Sequence, residues 1–368
     1  MTCPTAGPRR WSEVSVAGKS VKLADVAKAA GVSQGTASNV FSRPNLVRDE
    51  VRERVLAAAK ALGYGGPDLK GRLLRAGKVN AIGVAAVEPM SYFFDDPWAR
   101  ALMAAIARVC DASGSGIALV SAMNHERLAW NIQSALVDGF ILLCVEGGEE
   151  LVQLTRERQL PFVALALGVQ DRSIPAIGID NVSGGALAAR HLTDLGHRKF
   201  AVLATEFNAD DHVGLVSAAD VAGAIYATSR DRVTGYRQAL AAVGLGPEDL
   251  PVYETRNDKA SVEACLARIF AGGEGPTALL AMSDRIALYA LDWLKARGLQ
   301  VPGDVSIVGF DGVPEAQAST PALTTIVQPM AEIARVAVHA ILENAVPSER
   351  RTLPVTLAVR ASTAPPAA

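Results

Sequence analysis

From Asn80 onward the chain repeats one pattern. Runs that are apolar at nearly every position, AIGVAAV (81–87), IALV (117–120), FILLCV (140–145), FVALAL (162–167), AIGI (176–179), FAVLA (200–204), TALLAM (277–282) and VSIVGF (305–310), alternate with stretches whose apolar residues recur at helical spacing. Strands that are apolar on both faces predict sheets covered from both sides, hence parallel sheets with crossover helices. The helical stretches include 99–113, 184–195, 232–243, 261–270 and 284–297. The expectation is an α/β body of two lobes in sequence with a cleft between them, where ligands meet the carboxyl ends of the strands.

The first part of the chain has a different rhythm. Leu23, Val26, Ala27 and Ala30 form one apolar stripe over 23–30, and Gly31 supplies the left-handed residue that ends such a helix. Val32 plugs the corner, and Ser33 is an N-cap candidate for a second helix through about Phe41, with Ala37 and Val40 or Phe41 inward. The opposite side carries Gln34, Gly35, Ser38 and Asn39, beside Thr36. Amides and hydroxyls there can bond base edges in a major groove, and a helix start offers N–H groups to a phosphate. A third helix, about 49–62, places Val51, Val55, Ala58 and Leu62 on one side. Taken alone, the same pattern also fits a three-helix fragment with Gln34 and Asn39 merely solvated.

Charge sharpens this division. The net charge of -2 conceals 14 Lys+Arg against 6 Asp+Glu over residues 1–78 and 22 against 32 over the rest, a basic head on an acidic body. That is the distribution expected of a phosphate-binding module on a soluble body. Half the residues are apolar and a fifth charged, enough to bury sizeable cores. Residues 1–20, with Arg9, Arg10 and Trp11, read as a loose basic arm rather than a signal peptide. No run approaches the roughly 20 apolar residues of a membrane span. Cys3, Cys110, Cys144 and Cys265 are far apart without metal-ligand spacing, which fits a reducing cytoplasm and predicts no metal and no cofactor.

Residues 21–64, VKLADVAKAAGVSQGTASNVFSRPNLVRDEVRERVLAAAKALGY, resemble the head of the lactose/galactose-repressor family. The body repeats the likeness in VDGFILL (137–143), IDN (179–181), HLTDLGHRKFAVLA (191–204), RVTGYRQAL (232–240), AMSDRIAL (281–288), VSIVGFDG (305–312) and PALTTIVQP (321–329), shared with periplasmic-binding-protein relatives. The resemblance implies an N-terminal all-α helix-turn-helix head plus a two-lobed, periplasmic-binding-protein-like α/β body of parallel sheets. The organisation it suggests is a basic arm (1–20), the head (21–66), a hinge helix or linker (67–78), an effector-binding and dimerisation body (79–363) and a flexible tail (364–368). Gly35, which offers no side chain, and Asn39, where arginine is frequent, depart from the family's usual reading helix. In the hinge, Leu74 falls at the family's minor-groove wedge, with Arg72 and Arg75 meeting phosphates. Gly71 in place of a commoner alanine raises the cost of ordering by on the order of 1 kcal/mol per chain. A plain flexible linker is the other reading of this segment.

Carried over residue by residue, the resemblance puts Arg232, Asp311 and Gln328 in the effector pocket, and Ser283 where a sugar-binding asparagine is common. Ala166 stands where a hydroxyl-binding aspartate is usual, and Arg256 where an aromatic platform is common. A first loop longer than the family norm, EPMSYFFDDPW, is expected to bring Tyr92, Phe93, Phe94 and Trp98 to the cleft mouth. Losing a carboxylate and gaining a guanidinium favours an anionic effector. The competing reading has Arg256 in solvent or paired with Glu254 or Asp258, and the aromatic residues in the core. No GxSxG after a strand, Walker loop, GxGxxG after a strand or HExxH is present, and the five histidines are scattered. The expected function is a cytoplasmic, homodimeric DNA-binding transcriptional regulator, a repressor rather than an enzyme, controlled by a small molecule; the alternative is a transporter's solute-binding component.

Overall fold

The structure is a computed structural model that describes residues 21–66, 78–144, 148–165, 171, 173–272, 275–346 and 350–367. The chain divides into two compact units, 1–79 and 80–368.

The first unit is a three-helix head. Helix α1 (Leu23–Ala29) ends at Gly31, whose φ of +64° is the left-handed turn expected there. Helix α2 (Gln34–Ser42) starts at Ser33, whose hydroxyl accepts the Thr36 N–H at 3.0 Å. Helix α3 (Asp49–Ala61) closes the set. Val26, Ala27, Ala30, Ala37, Val40, Val55 and Ala59 form the buried core. Leu62 is the exception to the expected stripe: it follows the last helical residue and stays 38% exposed, while Ala59 takes the inward place. Phe41 meets Tyr64 edge-on with centroids 5.7 Å apart, closing the open end of the core.

In the body, strands β1 (Ala81–Ala86), β2 (Gly116–Ser121), β3 (Gly139–Leu143) and β4 (Phe162–Ala164) form a parallel sheet in the order β2-β1-β3-β4. The second lobe holds β6 (Phe200–Ala204), β7 (Gly214–Leu215), β8 (Val252–Glu254), β9 (Ala278–Ala281), β10 (Ser306–Asp311), β11 (Thr324–Val327) and β13 (Thr356–Ala358). Their order is β13-β11-β10-β9-β6-β8-β7, with antiparallel pairings only at the two edges. Strands β3, β6, β9 and β10 are buried along their whole length, as strands covered on both faces must be. A parallel pair, β5 (Ile177–Ile179) with β12 (Arg351–Leu353), forms a separate two-stranded sheet.

Two helical features position the cleft. Helix Pro97–Ser113 begins where Asp96 accepts the Trp98 and Ala99 N–H groups, both at 3.0 Å, with Pro97 in its first turn. It packs against helix Met330–Leu342, so a late segment of the chain helps to build the first lobe. In the second lobe, helices Asn181–Asp194 and Ala227–Ala241 touch backbone to backbone. A Cβ on Gly235 would collide with the Val182 carbonyl oxygen, and one on Gly185 with that of Arg232. This contact fixes where Arg232 leaves its helix.

The C-terminal stretch is bound rather than loose at its start. The Ile307 N–H donates to the Ser362 carbonyl at 2.9 Å. The Ala364 N–H donates to Ser306 Oγ at 3.1 Å, and the Ala364 carbonyl lies 2.9 Å from His197 Nε2. The expected flexible tail therefore does not begin at Ala364, because its backbone groups have partners on the second lobe.

Candidate functional site

The head presents a polar surface at the start of α2. Gln34, Gly35 and Asn39 are exposed, opposite the buried Ala37 and Val40. Ser33 and Thr36 are committed to each other, Oγ to Oγ1 at 2.9 Å, so they shape the helix start. Ser38 is half-buried, and its carbonyl accepts the Ser42 hydroxyl at 2.8 Å. The exposed amides at 34 and 39 thus stand on one rigid helix, a geometry that can pair with base edges. Arg72, Leu74 and Arg75 lie outside the described residues.

The body holds a cleft of about 430 Å³. Arg232, Ser283, Asp311, Gln328, Arg256 and Trp98 all line it. Arg232 is only 6% exposed: Nε donates to Asn181 Oδ1 at 3.0 Å, Nη1 donates to the Met282 carbonyl, and the guanidinium lies 3.7 Å from the Phe310 ring centroid. Asp311 accepts Gln328 Nε2 at 2.7 Å from a backbone with φ of +129°, a conformation rare for a side-chain-bearing residue. Burial pushes its carboxyl well above the usual range, against the pull of Arg232. Beneath it, Asp284 accepts the N–H groups of Gly312 and Val313 at 2.7 and 2.9 Å and the Thr325 hydroxyl, which fixes the turn that follows Asp311. Burial raises Asp284 as well.

A polar chain crosses from lobe to lobe. Ser283 caps helix Asp284–Ala296 by accepting the Ile286 N–H and donates to Asn257 Oδ1 at 2.8 Å. Asn257 Nδ2 and Arg285 Nη1 both donate to Asp96 Oδ2 at 3.3 Å. An ion pair between Arg100 and Glu315 lies beside it.

The long first loop folds differently from expectation. It forms a short helix, Tyr92–Asp95, in which adjacent residues point apart. Phe93 turns into the core at 2% exposure and Phe94 into solvent at 63%, so neither lines the cleft; Tyr92 and Trp98 do. Ala166 lies outside the described residues. Arg256 pairs at 3.0 Å with Asp211, which is neither of the acids expected for it. The cleft is not the positive pocket that Arg256 suggested. Its lining carries Glu88, Asp96, Glu206, Asp210, Asp211 and Asp311 against Arg232 and Arg256, so acceptors outnumber guanidinium groups.

Sequence reasoning missed Asp96, Asn257 and the glutamates. Asp96 did carry a signal, an aspartate directly before a proline at a helix start. Asn181 stood in the IDN motif without an assigned role.

Residues 22–66 match the family model "Bacterial regulatory proteins, lacI family", and residues 189–363 match "Periplasmic binding protein-like domain". The chain is 36% identical over 311 residues to an HTH-type transcriptional regulator of Mycobacterium tuberculosis, covering 83% of this chain and 86% of that protein. Among solved structures it is similar to a complex of the transcriptional regulator CelR with cellobiose, at TM-score 0.66 and 28% identity over 93% of this chain and 99% of the other. It is also similar to the Lac repressor dimer bound to operator and the anti-inducer ONPF, at TM-score 0.72 and 25% identity over 94% and 100%. With a reading head, a two-lobed body and relatives that match along both, the chain belongs to the LacI family of DNA-binding transcriptional regulators.

Proposed function

We propose that this regulator is a cytoplasmic repressor that grips a near-palindromic operator as a homodimer and adjusts that grip when a polyhydroxylated small molecule enters the cleft. The observation that carries the reading is the polar chain Ser283–Asn257–Asp96–Arg285, which joins the lobes at the wall of the cleft. A ligand binding there exchanges hydrogen bonds with groups of both lobes and favours one interlobe angle, which is the differential contact a population shift needs. Lining carboxylates and amides suit hydroxyl donors, and the similar structures were solved with cellobiose and with the anti-inducer ONPF.

On DNA, Gln34 and Asn39 read base edges, Ser33, Gly35, Thr36 and Ser38 set the backbone against phosphates, and Leu74 wedges a minor groove flanked by Arg72 and Arg75. Two heads on a two-fold axis double the site that one short helix can read. Relatives named as transcriptional regulators support a binding role over an enzymatic one. The test is selection of bound duplexes from a random pool, with and without a pool of cell metabolites. A palindromic consensus whose enrichment changes with the metabolites is expected. Binding without sequence preference overturns the regulator's operator, and enrichment indifferent to every metabolite overturns effector control.

A further inference from the structure

Polyhydroxylated molecules are a broad class, and the walls of the cleft narrow it; the narrower assignment rests on the proposed role of the cleft as the effector site. Among the described residues, two of the lining carboxylates have no partner on another residue. Glu88 follows β1 at the end of the first lobe's central strand, and Glu206 follows β6 in the second lobe. Each is half-buried, and neither side chain has an ion pair or a hydrogen bond to another described residue. The nearby cations are already committed, Arg256 to Asp211 and Arg232 to Asn181 and the Met282 carbonyl. Asp96 adds to the repulsion on Glu88, while on Glu206 the pull of Arg256, itself paired with Asp211, outweighs the push of Asp258. Burial pushes both glutamic acids up, and the charge of Glu206 adds to the effect on Glu88.

The aromatic lining of the same cavity points to the kind of occupant. The rings of Tyr92, Trp98 and Tyr226 line it, and aromatic faces beside carboxylates are the setting in which ammonium groups are held. No three His, Cys, Asp or Glu side chains among the described residues stand where they could hold a metal ion, which favours an organic cation.

We infer that the effector carries a protonated amine as well as hydroxyl or carbonyl oxygens, the amine seated between Glu88 and Glu206 from opposite lobes. An amino sugar is the simplest molecule of that description. Because one charge is shared by two lobes, its arrival draws the cleft together, where an uncharged sugar leaves the two glutamates repelling each other.

The experiment is calorimetric titration of the full-length protein at about pH 7.5 with glucosamine and its β-1,4-linked dimer, against glucose, N-acetylglucosamine and cellobiose. The amine is expected to bind at least about tenfold more tightly than its neutral partner, a difference on the scale of one close charge pair. Glu88→Gln and Glu206→Gln should each remove most of that preference by weakening amine binding more than cellobiose binding, and Glu88→Gln should raise the melting temperature of the ligand-free protein by relieving repulsion. The preference should fade toward about pH 5 as the glutamates take up protons. Equal or tighter binding of the neutral sugars, no binding of either amine, or glutamine variants that keep the wild-type preference overturns the inference. Effector control is judged separately: operator release by a metabolite pool with no preference for amines leaves it standing and removes only the charged ligand, whereas indifference to the whole pool removes both.

Discussion

Arg285 of the second lobe donates to Asp96 of the first across 3.3 Å, and the carboxylate that accepts it also caps the helix Pro97–Ser113. One buried side chain, 4% exposed, thus sets the start of a helix and the closure of the body together. Replacing Asp96 by Ala should cost about 1–3 kcal/mol, from the lost cap and the stranded Arg285, which remains a quarter exposed and so partly solvated. Chemical denaturation of the full-length protein measures it.

Arg285→Gln separates the two roles, since it leaves the cap intact. The variant should keep most of its stability yet populate a more open body, visible as a larger radius of gyration in small-angle scattering and a several-fold change in effector affinity. An unchanged scattering profile would show that Asp96 holds only its own helix.

The backbone contact at Gly235 makes a sharper test. Gly235→Ala places a methyl group against the Val182 carbonyl oxygen, and the cost should be roughly 1–3 kcal/mol or more because two helix backbones, not flexible side chains, must separate. Since Arg232 lies one turn away on the same helix and bonds Asn181 on the other, effector affinity should fall with stability.

In the head, Asn39→Ala and Gln34→Ala should each relax sequence preference at one base pair by roughly 1–3 kcal/mol while leaving the fold intact, because both side chains are exposed. Binding-site selection with each variant reports the position. A consensus identical to wild type would remove that residue from the reading set.

His197 offers a pH prediction. Nδ1 lies 2.9 Å from Thr277 Oγ1 and Nε2 2.9 Å from the Ala364 carbonyl, and burial lowers its pKa below the ordinary 6.5, as it does for the nearby His191. A ring held neutral in the folded state contributes stability that is fully present above about pH 6.5 and is lost as the pH falls through the window beneath it. The stability gap between wild type and His197→Asn should therefore shrink from about pH 7.5 to pH 5.5. A gap that widens on acidification would mean the ring is bound as the cation.

Much of this architecture was readable from residue order because burial imposes a period. The stripe Val26, Ala27, Ala30 and the uniformly apolar strands have one solution each, and the structure adopts it. Direction was harder to read. Phe93 and Phe94 are the same residue type side by side, and only the short helix they share decides that one is buried and the other exposed. Pairing over long separations was not legible at all: nothing near Arg256 in the chain announces Asp211, and nothing near Asp96 announces Arg285. A cleft's charge is the sum of such pairings, which is why Ala166 in place of a carboxylate and Arg256 in place of an aromatic suggested a positive pocket, whereas carboxyl groups outnumber guanidinium groups along the folded walls.

The seam at Ser362 and Ala364 bears on how the protein comes to exist. The Ser362 hydroxyl accepts the Thr324 N–H and donates to the Ile307 carbonyl, while helix Met330–Leu342 completes the opposite lobe. During translation, then, neither half of the body can finish its interior before these late-synthesised segments emerge. The growing chain therefore carries a head whose three helices are already complete ahead of a body whose cleft is still unfinished.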